Sequence, residues 1–167
     1  NPGATLLLSP LGLTGNTDAM RSLFILFNAV CIIGALAWLT RLGGFPLRGP
    51  VFPGAVALAF LTEAVTNTLT FANINGVLLL GLTAFLAWLL AASAGSSWAA
   101  GVVLGLCILV KPMFAPLLLL PLLRLDWRAI SGAIVVPVVF NAIAWPLTPG
   151  ARDYIDVVVP NLKQTRD

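Results

Sequence analysis

GLCILVKPMFAPLLLLP, residues 105–121, is the stretch whose reading decides the fold. It carries one ammonium group, Lys111, inside an apolar run punctuated by Pro112, Pro116 and Pro121. The nearest charged residues are Glu63 upstream and Arg124 downstream. A bare lysine at the centre of a membrane span costs about 2.5–3.5 kcal/mol. Lys111 must therefore snorkel, pair with an acid such as Glu63, or hold an anionic ligand. Pro112 removes a backbone donor and biases Lys111 away from α geometry. These residues predict a helix broken at Lys111-Pro112. Such a break is tolerated in a bilayer only against protein or a water-filled cavity.

Composition sets the environment. Hydrophobic residues make up 59% of the 167-residue chain, charged ones 9%, and the mean hydropathy is +1.01. A soluble domain is near half apolar and a quarter charged, so the chain reads as an all-α, polytopic transmembrane helical bundle, multi-pass in a lipid bilayer. The net charge of +3 is spread among helices and forms no nucleic-acid patch. There is no histidine, which removes imidazole acid–base chemistry and most zinc sites, and no metal or cofactor is expected. Cys31 and Cys107 sit within apolar runs and read as small packed hydrophobes. The chain begins with Asn1 and shows no leader pattern, so it reads as an internal piece of a longer protein.

Working outward from Lys111, hydrophobic elements fall at about 20–40, 51–70, 76–92, 98–123 and 129–146. Trp38 suits an interfacial anchor. Two short basic turns, 41–48 and 124–128, belong on the cytoplasmic side by the positive-inside tendency. An even number of crossings must then separate them. This favours reading 98–123 as two short helices over one kinked span. The polar residues of 67–75, the Lys111 break and the tail after 147 then gather on the opposite, extracytoplasmic side.

Three polar groups stand out there. Thr62, Glu63, Thr66, Asn67 and Thr70 recur at helical spacing and form one polar stripe. Glu63 is the single acid between Asp18 and Asp126; an intramembrane acid is by default a candidate functional residue, though it equally suits a structural pair with Lys111. Asn73 and Asn75, just before the next span, suit either N-capping or binding of sugar hydroxyls or phosphate at a helix N-terminus. Lys111 at a break beside a cavity suits an anion, because the ammonium and free backbone donors act together.

The run TEAVTNTLTFANINGVLLL (62–80), then ILVKPMFAPLLLLPLL (108–123), WRA (127–129), VVPVVFN (135–141) and the terminal TRD, resembles one family. It is similar to the actinobacterial membrane arabinofuranosyltransferases that add α-1,3 branches to cell-wall arabinan. These belong to the C-type glycosyltransferase superfamily, in its polyprenol-phosphate-sugar-dependent branch. The resemblance covers nearly the whole chain, and the TNTL/ANIN and VKP blocks are its specific parts. It implies a plasma-membrane enzyme, part of one transmembrane domain over 1–167, that takes arabinofuranose from a decaprenyl-phosphate donor and passes it to an arabinan-type acceptor on the extracytoplasmic face. Lys111, Asn73 and Asn75 are the residues it implies for the donor phosphate. Glu63, Asn67, Thr66 and Arg166 are those it implies for the substrate cavity. Ala72 and Asn73 replace the Gly-Gln that opens the corresponding motif elsewhere in the branch. The catalytic base is expected in a loop upstream of Asn1, with further helices after Asp167; Asp18 does not match that base, and residues 1–167 alone are expected to be inactive. Three alternatives remain open: a polyprenol-phosphate-mannose-dependent mannosyltransferase, a transporter with a broken-helix anion site, and a non-catalytic binding subunit in which Glu63 and Lys111 form a buried structural pair.

Overall fold

The computed structural model describes residues 17–91 and 93–147. Among these residues the chain is helical and without strands: α1 (Thr17–Leu42), α2 (Val51–Leu61), α3 (Glu63–Thr70), α4 (Asn75–Ala91), α5 (Ala94–Val110), a 3₁₀ helix (Pro112–Leu118), α6 (Leu119–Leu123) and α7 (Trp127–Leu147). Two helices, Asp18–Leu42 and Trp127–Leu147, are long and apolar enough to cross a membrane, and α2 with α3 would make a third if the bent pair is one span. Their apolar surface is largely turned outward: Leu26, Val30, Ile134 and Val138 are all more than half exposed. A soluble protein rarely presents so much contiguous apolar surface.

The break at Lys111 is present as expected. α5 ends at Val110, and Lys111 is extended (φ −132°, ψ 99°). Pro112 then opens the 3₁₀ helix, where its missing N–H costs nothing. The segment 112–123 runs back along the bundle, so α5 and α7 lie parallel: Gly101 meets Ala129, and Gly105 meets Ala133. A Cβ on Gly101 would stand 2.3 Å from the Ala129 carbonyl oxygen. Small residues let these two backbones approach closely, the usual basis of helix pairing where lipid supplies no hydrophobic drive.

A second break was not anticipated. The stretch 51–70 bends by 66° between α2 and α3. Thr62 sits extended at the joint (φ −80°, ψ 143°). Its hydroxyl donates to the Ala59 carbonyl at 2.6 Å and accepts from the Val65 N–H at 3.4 Å. Thr62 therefore caps α3 rather than continuing the polar stripe.

The connections place both basic turns at one end. Trp38 and Trp88 meet edge to face with centroids 6.0 Å apart, and Arg124 donates to the Leu89 carbonyl. Asp126 caps α7, accepting from the Ala129 N–H at 3.2 Å. Hydrogen bonds from Ser97 first, then from the α7 backbone, together with the nearby Arg128 charge, hold its carboxyl below the usual range against a modest opposing effect of burial. At the other end, Arg21 donates to the Thr70 carbonyl at 3.0 Å. Cys31 and Cys107 are buried thiols, as expected for packed small hydrophobes.

Replacing Gly101→Val should force α5 and α7 apart and destabilise the bundle by about 1–3 kcal/mol. Thermal unfolding in detergent would show this as a lowered midpoint; an unchanged midpoint would mean that the helices do not cross at Gly101.

Candidate functional site

Three polar side chains meet at the end of the bundle opposite the basic turns. Lys111 Nζ donates to Asn75 Oδ1, across 36 residues of chain. Asn75 Nδ2 donates to Thr68 Oγ1 at 3.2 Å, and Thr68 donates in turn to the Ala64 carbonyl at 2.8 Å. Lys111 and Asn75 are half-buried and Thr68 is buried. The ammonium thus has a neutral partner, and among the described residues no carboxylate pairs with it.

Local structure explains the placement. α3 ends in a Schellman motif: the Ala72 N–H reaches the Leu69 carbonyl at 3.1 Å and the Asn73 N–H reaches the Thr68 carbonyl at 2.8 Å. Ala72 lies at φ +48°, the left-handed position that glycine adopts without strain. This gives a physical reason for the glycine expected there in the wider branch. The reversal carries the chain straight into α4, so that Asn75 stands in its first turn. The same motif ends α1 at Gly44 (φ 81°) and α6 at Leu125 (φ 53°).

Neither Asn73 nor Asn75 is the cap of α4. That role falls to Asn28, which the sequence reading passed over. Asn28 is fully buried in α1. Its Oδ1 accepts from the Gly76 N–H at 3.0 Å, and its Nδ2 donates to the Phe24 carbonyl at 3.0 Å. A Cβ on Gly76 would stand 2.6 Å from the Asn28 carbonyl oxygen, so glycine is what lets α4 start against α1. A lone asparagine inside the apolar run 20–40 was the available signal.

The other expected residues divide. Glu63 accepts from Asn67 Nδ2 at 3.3 Å, and both are exposed. Thr66 is exposed and donates to the Thr62 carbonyl at 2.7 Å. These residues line the outer side of α3, while Thr68 points inward to Asn75. Glu63 is therefore not the partner of Lys111. Asn73 is exposed at the α3–α4 turn. Arg166 lies outside the described residues. The arrangement offers a fixed, half-buried cation at a helix break, beside an amide and a hydroxyl. Such a group binds an oxyanion well. A cavity of about 440 Å³ at the opposite end is lined by Ser93, Ser97, Arg124, Asp126 and Arg128, but Arg124 and Asp126 there are already bonded within the fold.

Residues 1–166 match the description glycosyltransferase family 87. The chain belongs to this family. It is 52% identical over 167 residues to an alpha-(1->3)-arabinofuranosyltransferase of Corynebacterium glutamicum, covering all of this chain and 39% of that protein. It is 42% identical over 166 residues to the protein of the same name from Mycolicibacterium smegmatis, covering 99% of this chain and 38% of that one. The Mycobacterium tuberculosis protein of that name is 43% identical over 166 residues, with the same coverage. The chain thus spans about two fifths of the length of these relatives. No solved structure matches it. Membership of a glycosyltransferase family removes the support for a transporter, and the helical, membrane-type architecture agrees with the resemblance.

Asn28→Ala should strip the Gly76 N–H of its partner and lower stability by about 1–3 kcal/mol. Hydrogen exchange at Gly76 and Val77 would rise if Asn28 caps α4, and would be unchanged if it does not.

Proposed function

We propose that the whole protein transfers arabinofuranose from a decaprenyl-phosphate donor to cell-wall arabinan, making α-1,3 branches on the extracytoplasmic face of a plasma membrane that it crosses several times. The geometric observation that carries this reading is Lys111: a half-buried ammonium at a helix break, held by a neutral amide and not by an acid. The names of the relatives favour arabinofuranose over mannose.

In this reaction the acceptor hydroxyl attacks the anomeric carbon, and the bond from that carbon to the lipid phosphate oxygen breaks. The electron pair of the broken bond stays on the phosphate, and the hydroxyl proton goes to a general base supplied by the remainder of the whole protein. Charge grows on the leaving phosphate in the transition state. Lys111 is set to stabilise that charge, with Asn75 fixing the direction of its ammonium. Thr68 in turn fixes Asn75. The exposed Asn73 is set to meet phosphate or sugar at the same end, and Glu63, Thr66 and Asn67 form a polar face for the sugar or the acceptor. Arg166 is assigned to the same cavity from the resemblance. The positive-inside tendency favours the cytoplasmic side for the basic turns at the opposite end, and this supports an extracytoplasmic Lys111.

Lys111→Ala in the full-length protein should lower arabinosyl transfer from a synthetic polyprenyl-phosphate donor by about 10²–10³-fold, the usual loss on removing one group that stabilises developing charge. Thermal unfolding run beside the assay would show that the fold persists. Undiminished transfer in a folded variant would remove Lys111 from the donor site.

A further inference from the structure

The turn RLDWR, residues 124–128, has features that the proposed reaction does not use. It forms one side of the cavity of about 440 Å³ at the end opposite Lys111, and Ser93 and Ser97 at the start of α5 form the other. Arg124 commits one guanidinium N–H to the Leu89 carbonyl. Arg128 makes no side-chain hydrogen bond among the described residues. Asp126 is held on the protein side, accepting from the Ala129 N–H and the Ser97 hydroxyl. Two guanidiniums and one carboxylate leave the cavity with a single net positive charge. Between the two arginines stands Leu125 at φ +53°, a left-handed conformation that glycine adopts freely and that strains a branched side chain. Its side chain is 68% exposed, and Leu123 and Trp127 are 81% and 65% exposed. The long apolar helix α7 begins at Trp127, so the turn lies at the edge of a span.

Cations at a cavity, flanked by outward apolar side chains at a membrane edge, fit a ligand with one negative charge and attached hydrocarbon. Free phosphate would leave Leu123, Leu125 and Trp127 in water, and a zwitterionic lipid would leave the net charge uncompensated. We infer that the cavity between the 124–128 turn and the start of α5 binds the phosphodiester headgroup of an anionic phospholipid, with Leu125 and Trp127 among its acyl chains. Basic pockets between membrane helices recognise such headgroups, and an interfacial tryptophan suits the same depth. The strained leucine then has a role that glycine could not fill. The site stands apart from the proposed transfer chemistry; only its leaflet, the cytoplasmic one, rests on the proposed orientation. A bound headgroup joins the α4–α5 connection to the α6–α7 turn, and so holds the far end of the segment 112–123 that begins beside Lys111.

The test uses the full-length protein in phosphatidylcholine nanodiscs with a trace of phosphatidylglycerol carrying a diazirine in its acyl chain, close to the glycerol. Photolabel should map to peptides containing Ser93–Ser97 or Leu123–Arg128. Unlabelled phosphatidylglycerol should compete about tenfold better than added phosphatidylcholine, the difference expected for one charge-assisted hydrogen bond. Inorganic phosphate should not displace the label; displacement as strong as that by phosphatidylglycerol would make this a free-anion site and overturn the inference. Arg128→Gln should cut labelling of these peptides about tenfold. Leu125→Gly removes the backbone strain and the apolar side chain together. It should keep or raise the thermal midpoint while lowering the labelling, and it serves as the test should Arg128→Gln fail to fold. Equal competition by phosphatidylcholine, label elsewhere, or labelling unchanged in folded variants overturns the inference. So does a turn left unlabelled because the remainder of the whole protein, or an acidic protein partner, covers it. Nanodiscs present the same lipids on both faces, so a reversed orientation would change the leaflet assigned and not the result.

Discussion

The hydrogen bond from Lys111 to Asn75 joins two of the places where the described residues depart from regular helix. One is the break after α5, where Pro112 forbids continuation. The other is the tight reversal between α3 and α4, where Ala72 takes a left-handed conformation. Each leaves polar backbone near a hydrophobic interior, and neither would be stable there alone. Bonding the two together satisfies the lysine and orients the amide. It also fixes the end of α5 against the start of α4. The Thr68 hydroxyl extends the same chain of bonds into α3, and Asn28 holds the first turn of α4 from α1. Four helices thus converge on one polar cluster.

The rest of the bundle supports that cluster mainly through close apolar packing. α5 and α7 pack through Gly101, Gly105, Gly132, Ala129 and Ala133, close enough that an added methyl group would collide with backbone. Phe85, Leu89 and Leu104 fill the space between α4 and α5. Among the described residues no buried side-chain nitrogen or oxygen lacks a partner. Lys111 is held in place by a neutral amide, and among the described residues no carboxylate pairs with it.

Much of this was legible in the sequence, for identifiable reasons. Proline chemistry and an isolated charge located the break at Lys111. Counting basic turns placed 41–48 and 124–128 at one end, and the Trp38–Trp88 and Arg124–Leu89 contacts bear that out. The bend at Thr62 was not legible, because a threonine in a polar run serves equally as a stripe residue or a cap. The partner of Lys111 was not legible either. Charge alone pointed to Glu63, whereas the reversal at Ala72–Asn73 brings Asn75 into reach and turns Glu63 outward. Asn28 was missed because its role depends on the close approach of α1 to Gly76, which no pattern along one helix reveals.

The central claim is that the Lys111 charge is left free for a phosphate because Asn75 is neutral. Asn75→Asp tests it most directly. The change keeps size and shape and places a carboxylate on the ammonium. Binding of a polyprenyl-phosphate lipid to the full-length protein, measured beside thermal unfolding, should weaken by about tenfold or more while the fold is retained, as expected when an ion pair replaces a charge-assisted bond. Unchanged affinity in the folded variant would contradict the claim, and would mean that the lipid phosphate is bound away from Lys111.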